Sequence, residues 1–367
     1  MISRENSEQN ELKILHPLAA LSSQAIRQKP MEECEYRTAY QRDSDRIVYS
    51  RSFKRLAGKT QVFIRPRGDH YRTRMTHTHE VSRISRVIAR CLGLNEDLAE
   101  AIALAHDIGH TPFGHAGERA LQKCYSKDFN HESFGVTVVD KLENGGLNLT
   151  NEVRDGILFH SSSSKQVPYT LEGQVVRLAD KIAYVSHDTE DILRAGIIKE
   201  SNLPKDALKI LGGSVDNFID TMVGSTIEHS REKMQEASEN NFGRPEPDKR
   251  SLLILMGEDE YHGMTAIRGY LNENIYTGLK SKINEEAKAD RLIRSLFENY
   301  TKSIFSIPQK MKGHLGEFDI FDVAAFYIAG MTDRYAEDEF DKIFKPKGKF
   351  ITEPRENLGG RGGFDIR

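Results

Sequence analysis

Arg74-Met75-Thr76-His77-Thr78-His79-Glu80-Val81 leads, through a helical run, to Ala105-His106-Asp107-Ile108-Gly109-His110-Thr111-Pro112-Phe113-Gly114-His115-Ala116-Gly117-Glu118. This stretch decides how the chain is read. Its histidines are His77, His79, His106, His110 and His115. Neutral imidazole and carboxylate are suited to a divalent metal that drives hydrolysis. The adjacent His106-Asp107 pair, with His77 upstream and Asp180 downstream, supplies four such donors.

Periodicity sorts these residues. Thr76 to Leu94 reads as a helix. Val81, Ile84 and Ile88 follow His77 on one face, whereas His79 falls with Arg83, Arg86 and Arg90 on the other. His77 is therefore the inward histidine. Asn95 is an N-cap, with Glu96 and Asp97 in the favoured first turn. The helix it starts is apolar nearly all round, so it is expected to be buried. Its alanines, at 99, 101, 103 and 105, allow other helices close, and Gly109 and Pro112 end it. Periodicity does not settle which way Asp107 faces.

Asn130-His131-Glu132 opens a further helix, with Asn144-Gly145-Gly146 as its stop. Residues 161–170 are a Ser-rich loop. His131 is balanced between site and surface, and His160 reads as a surface residue. Thr170 to Ile198 is a long central helix. On its apolar background Asp180, Tyr184 and Asp188 form a polar stripe. A buried carboxylate needs a cation, which a metal, Lys181 or an arginine could provide for Asp180.

The chain has 367 residues, a net charge of −3 and no Trp, so it is no basic nucleic-acid binder overall. From Arg37 to Arg90, however, fourteen Arg and Lys stand against four Asp and Glu. These cations, among them Arg42, Arg46, Arg51, Lys54, Arg55, Lys59, Arg65, Arg67, Arg72 and Arg74, either form a solvated face or attract polyphosphate. Cys34, Cys91 and Cys124 show no paired spacing, which implies a reduced, cytoplasmic setting. No signal core or bilayer-spanning run is present in the sequence. Helical patterns recur around 205–236 and 260–305, separated by a polar loop from Ser238 to Arg250. Ile320 to Tyr335 reads as one further helix. Alternating strand patterns are scarce, so an all-α architecture is expected. We read 1–35 as an extension and 36–344 as a single helical domain. Its metal-site core spans about 50–200, its C-terminal helices about 201–344, and 345–367 is a flexible tail.

Several words are more specific than the donor pattern. They are Arg55-Leu56, Lys59-Thr60-Gln61-Val62-Phe63, Arg74-Met75-Thr76-His77, His106 to His115, Leu178-Ala179-Asp180-Lys181-Ile182-Ala183-Tyr184 and Gly330-Met331-Thr332-Asp333-Arg334-Tyr335. Together they resemble the deoxyguanosine triphosphate triphosphohydrolase family of HD-domain metal-dependent phosphohydrolases. The resemblance runs from about 37 to 200 and returns near 320–336. It implies an all-helical HD bundle with additional C-terminal helices, and hydrolysis of a deoxynucleoside triphosphate to the deoxynucleoside and tripolyphosphate.

By position, the resemblance implies His77, His106, Asp107 and Asp180 as ligands of a divalent ion (Mn, Mg, Fe, Co or Zn). It implies His115 as the catalytic histidine and Glu118 as its orienting carboxylate, with His110 and His131 as further active-site histidines. The i, i+3 spacing of His115 and Glu118 independently suits a carboxylate holding an imidazole. Gln61 resembles a contact to the sugar 3′-hydroxyl, Arg74 and Lys181 resemble phosphate ligands, and Tyr184 and Asp188 match positions near the sugar. Tyr327 is also expected at the substrate. A nucleotide activator and a homo-oligomer, often a hexamer, are further implications; nucleic acid is not required as a partner. The chain departs from many relatives at Glu132-Ser133-Phe134-Gly135 and at Phe326, which bears on base preference and effector response. Another HD phosphohydrolase or phosphodiesterase, or a non-catalytic nucleotide sensor, would share the scaffold. The extra histidines also leave room for a second metal.

Overall fold

In the computed structural model, which describes residues 3–62, 71–240, 243–244 and 246–346, helices carry nearly all the regular structure. In chain order they are α1 Arg4–Ile14, α2 Ala39–Tyr49, α3 Arg51–Arg55, α4 Arg74–Cys91, α5 Glu96–Ala105, α6 His115–Cys124, α7 His131–Thr137 and α8 Asn151–Phe159. They continue with α9 Leu171–Arg194, α10 Lys205–Ile210, α11 Phe218–Glu239, α12 Glu258–Leu271, α13 Lys280–Lys302, α14 Gln309–Lys312, α15 Ile320–Ala329 and α16 Asp333–Phe344. Among the described residues there are isolated β-bridges and no strand. None of the helices is long and apolar enough to cross a membrane. Phe63, Arg65, Arg67 and the tail from 347 onward lie outside the described residues.

Helix α5 is the axis. Asn95 caps it by accepting from the Asp97 and Leu98 N–H groups, both at 3.2 Å. Leu98, Ala99, Ala101, Ile102, Ala103, Leu104 and Ala105 are all buried on it. The alanines let α2, α4, α8 and α9 pack around one short helix. Burial of Leu98 or Ile102 stabilises by roughly 1.5–3 kcal/mol each. Helix α4 starts earlier than the pattern suggested, because Thr73 and Thr76 form a reciprocal capping box. It buries His77, Val81, Ile84 and Ile88 and leaves His79 exposed.

The turn after α5 depends on glycine. A Cβ on Gly109 would stand 2.1 Å from the His131 carbonyl oxygen and 2.4 Å from the Gly135 nitrogen. Only the bare backbone lets α7 pack against the turn. Phe113 (φ 61°) and Gly114 (φ 56°) then reverse the chain into α6.

The C-terminal helices close over this core: α13 packs on α6, α15 and α16, and α12 packs on α9, α10 and α11. The expected single helix from Ile320 to Tyr335 is two. It breaks at Gly330-Met331-Thr332, where Thr332 caps α16 by accepting from the Tyr335 N–H at 3.2 Å. A capping side chain diverts the backbone there, which apolar spacing does not register.

Candidate metal and active site

Three helices bring the first donor set together. His77 lies in the first turn of α4, His106 caps the C-terminus of α5, Asp107 follows it, and Asp180 lies midway along α9. His77 Nε2 stands 3.0 Å from Asp180 Oδ1. His106 Nε2 stands 3.7 Å from the same oxygen and 3.6 Å from Asp107 Oδ1. Donors bound about 2.1 Å from one ion at right angles stand about 3 Å apart, so these spacings fit a shared cation. The tautomer also fits. His106 Nδ1 donates to the Ala103 carbonyl at 2.6 Å, one of the unpaired carbonyls ending α5. That leaves Nε2 as the acceptor nitrogen, and it is buried without a partner. An orphaned imidazole nitrogen among carboxylates is the observation that fits a metal. Asp180 turns to these imidazoles and not to Lys181.

Electrostatics keep the acids ionised. Burial opposes charge on Asp107, but Arg74, His110 and His106 outweigh it and hold the carboxyl well below its usual range. The Arg74 guanidinium donates to Asp107 Oδ2 at 2.7 Å, and His110 Nε2 donates to Oδ1 at 3.0 Å. Burial likewise opposes charge on Asp180, and His77 with His106 overrides it.

A second cluster adjoins the first. His115 is the first residue of α6 and His131 the first of α7. His131 is buried, not superficial; its ring stacks on His110 with centroids 3.7 Å apart. Glu118 Oε2 accepts from His131 Nδ1 at 3.0 Å and lies 3.6 Å from His115 Nδ1. One carboxylate therefore serves both imidazoles. His115 is the open one, with 62% of its side chain exposed. Against the effect of burial, Glu118 raises the pKa of His131.

The reading of His160 as a surface residue is corrected. It caps α8, is 2% exposed, and its ring lies 5.1 Å from that of His106 and 5.4 Å from that of His131. Folding packs α8 against α5 and α7; the Ser-rich segment beside it in sequence gave the opposite impression.

Apart from His106, these residues line a cleft of ≈ 1190 Å³ that also takes in Gln61, Arg74, Lys181, Tyr184 and Asp188. Gln61 carries a buried Oε1 without a partner. Tyr327 does not line it; its hydroxyl meets that of Tyr335 at 3.0 Å and its ring packs on Tyr300 of α13. Among the described cations from Arg37 to Arg90, Arg74 alone lines the cleft. Others are used structurally. Arg72 pairs with Glu80, Glu190 and Asp191, Arg86 with Glu96 and Glu100, and buried Lys59 donates to the carbonyls of His110 and Ala329.

Comparison with known proteins agrees with this geometry. The HD-domain profile matches residues 74–185, and the phosphohydrolase-associated domain profile matches 254–342. A deoxyguanosinetriphosphate triphosphohydrolase-like protein of Caldanaerobacter subterraneus is 46% identical over 350 residues, covering 95% of this chain and 97% of that one. Proteins of the same description from Desulfatibacillum aliphaticivorans (41% identical) and Clostridium perfringens (43%) each cover 94% of this chain, and 99% and 98% of their own lengths. This chain belongs to the deoxyguanosinetriphosphate triphosphohydrolase-like family of HD-domain proteins.

The two matched segments divide the site between them. The HD segment holds the donor residues; the associated segment forms the facing wall, which sequence reading left blank. Tyr261, Arg268, Asn272, Tyr276 and Lys282 all line the cleft. Tyr276 donates its hydroxyl to Asp188 Oδ2 at 2.7 Å. Burial pushes the Asp188 carboxyl up to about 7, with Tyr276 working against that rise. Burial, together with Arg177 and Arg268, lowers the Lys181 pKa. The sequence signal for this wall is slight: polar and aromatic residues on α12 and in the wide turn Asn272–Tyr276 that follows it.

Proposed function

We propose that this protein hydrolyses deoxynucleoside triphosphates, dGTP or a broader set, to the deoxynucleoside and inorganic tripolyphosphate. The observation that carries the reading is the arrangement within one cleft. The donors His77, Asp107 and Asp180 share it with the His115–Glu118 pair and with the cations Arg74, Lys181 and Arg268. The cleft slightly exceeds the roughly 300–1,000 Å³ of ordinary ligand pockets, which suits a nucleotide with three phosphates.

His77, His106, Asp107 and Asp180 would hold the divalent ion. When bound, it supplies Lewis-acid polarisation of the α-phosphorus and a water of lowered pKa. Its identity stays open among Mn, Mg, Fe, Co and Zn, since nitrogen and oxygen donors accept all five. The remaining work falls to side chains. Arg74, Lys181 and Arg268 neutralise the phosphates. His115, held by Glu118, protonates the departing O5′; His131 is tied more tightly to the same carboxylate and is the second candidate. Gln61 and Asp188 receive the sugar hydroxyl, and Tyr184 packs against C2′, where a ribose hydroxyl would clash.

The test is incubation of the metal-loaded protein with each of the four deoxynucleoside triphosphates and resolution of the products. Tripolyphosphate with free deoxynucleoside supports the reading. Orthophosphate, pyrophosphate or a linear dinucleotide places the protein with other HD phosphohydrolases, and binding without turnover makes it a sensor. Adding a second nucleotide tests activation.

A further inference from the structure

Arg119 and Lys282 both line the cleft and take no part in the chemistry assigned above. They reach it from its two walls. Arg119 is on α6, one helical turn beyond His115, and Lys282 is on α13 of the associated segment. Between them stands Glu286, also lining the cleft and one turn beyond Lys282. Arg119 Nη2 donates to Glu286 Oε2 at 2.6 Å, and Lys282 Nζ donates to Oε1 at 2.5 Å. One carboxylate thus occupies two cations, and the group keeps a positive charge in excess.

The group stands at the outer part of the cleft. The Arg119 side chain is 51% exposed, against 5% for Asp107. Lys282 leans over the associated wall, with Nζ 5.8 Å from the centroid of the Tyr276 ring. An ion pair this open to water contributes little to stability. The helices do not depend on it. Ala120 and Leu121 of α6 and Ala289, Ile293 and Leu296 of α13 are buried, and the two helices pack together along their length. The next rung, Lys123 to Asp290 at 2.8 Å, joins them outside the cleft. Glu286 can therefore release its partners without moving α6 or α13.

A phosphate offers a guanidinium two oxygens in matching geometry and carries more charge than a carboxylate. A chain of phosphates can meet Arg119 and Lys282 together, as Glu286 does, whereas a single phosphate gains less from the exchange.

We propose that Arg119 and Lys282 form a further phosphate-binding position at the mouth of the cleft, held by Glu286 until the polyphosphate of an incoming nucleotide displaces it. The inference deepens the functional reading above and rests on its choice of a polyphosphate ligand. Glu286 makes entry depend on charge: a triphosphate exchanges with it, and a nucleoside or monophosphate does not. The position is one turn of α6 from His115, so a phosphate caught there already lies near the proton-transfer pair.

The experiment titrates inorganic tripolyphosphate into the metal-stripped full chain at low salt and follows binding by calorimetry. Glu286→Gln should bind it roughly tenfold more tightly than the wild type, the scale of one hydrogen bond to a charged group. Asp290→Asn, which breaks the rung outside the cleft, should bind as the wild type does. The gain should also vanish when Glu286→Gln is added to a chain carrying Arg119→Gln and Lys282→Gln. Equal or weaker binding by Glu286→Gln overturns the proposal. So does an equal gain in Asp290→Asn, or a gain that persists without the two cations, because either reports only the overall field. Turnover of deoxynucleoside triphosphates by the metal-loaded wild type keeps the two readings apart. Turnover without the gain overturns the phosphate position alone; the gain without turnover supports the position and overturns the assigned activity.

Discussion

The backbone N–H of Phe113 donates to Asp333 Oδ1 at 2.8 Å, across 220 residues of chain. The other oxygen of Asp333 accepts from the Thr60 N–H at 3.0 Å and from the Thr60 hydroxyl. One carboxylate outside the cleft thus fixes the left-handed turn that launches His115. Asp333→Ala leaves the Phe113 and Thr60 donors unpaired. We expect it to destabilise the protein by about 2–4 kcal/mol and to lower kcat more than it raises KM. Urea denaturation and steady-state kinetics check both; a change confined to KM would contradict this role.

His106→Ala or Asp180→Asn removes one donor of the first site. Bound metal and turnover should both be lost, while circular dichroism keeps its helical signal because α5 and α9 are held by apolar packing. Metal analysis beside an activity assay tests this. Turnover that survives without bound metal would rule out the assigned donor set.

Tyr276→Phe removes the hydroxyl that Asp188 accepts. The Asp188 pKa, already about 7, should rise further, because that bond favours the charged form. Near pH 7 less carboxylate then remains for the sugar hydroxyl, and KM for a deoxynucleoside triphosphate rises roughly tenfold, the equivalent of one hydrogen bond to a charged group. At pH 9 the ionised form returns and the difference narrows. A pH-independent KM ratio between variant and wild type would refute this.

Burial pushes the Glu172 carboxyl up to about 7 from an ordinary 4.5. Its Oε1 accepts from the Ala20 and Asn95 N–H groups, each at 3.0 Å, and Oε2 is buried without a partner. A group whose folded pKa is raised keeps its proton longer in the folded state. Stability therefore falls as pH rises from about 4.5 to about 7, by up to about 3 kcal/mol, and stays lower above that. Glu172→Gln keeps an oxygen for both N–H donors, so this decline should disappear. Denaturation midpoints for both proteins from pH 5 to 8 measure it.

Gly109→Ala puts a methyl group 2.1 Å from the His131 carbonyl. Backbone must move, so the cost should exceed the usual 1–3 kcal/mol of an overpacked site. We expect insoluble protein, or a soluble form with a sharply lowered melting temperature and no turnover. Wild-type stability would show that α7 does not pack on this turn.

Local chemistry was legible in the residues. Face periodicity placed His77 inward, and Asn95 and Asn130 cap the helices they precede. What was hidden depends on contacts between distant segments. His160 follows an ordinary amphipathic helix, and only the packing of α8 on α5 and α7 buries it. The wall bearing Arg268 and Tyr276 is set by how α12 lies across α9, and helical spacing carries no information about that crossing. The basic run misled in the opposite way. It read as either a solvated face or phosphate-binding charge, yet Arg72 and Arg86 neutralise neighbouring acids, and buried Lys59 spans two carbonyls.

Because His77, His106 and Asp180 sit on three helices remote from one another in sequence, an unfolded chain offers an ion no equivalent binding place. Ion binding therefore favours the assembled bundle by mass action. If these donors hold an ion, a cell short of it would keep more opened chain, exposed to proteolysis, and scarcity would reduce the amount of this protein.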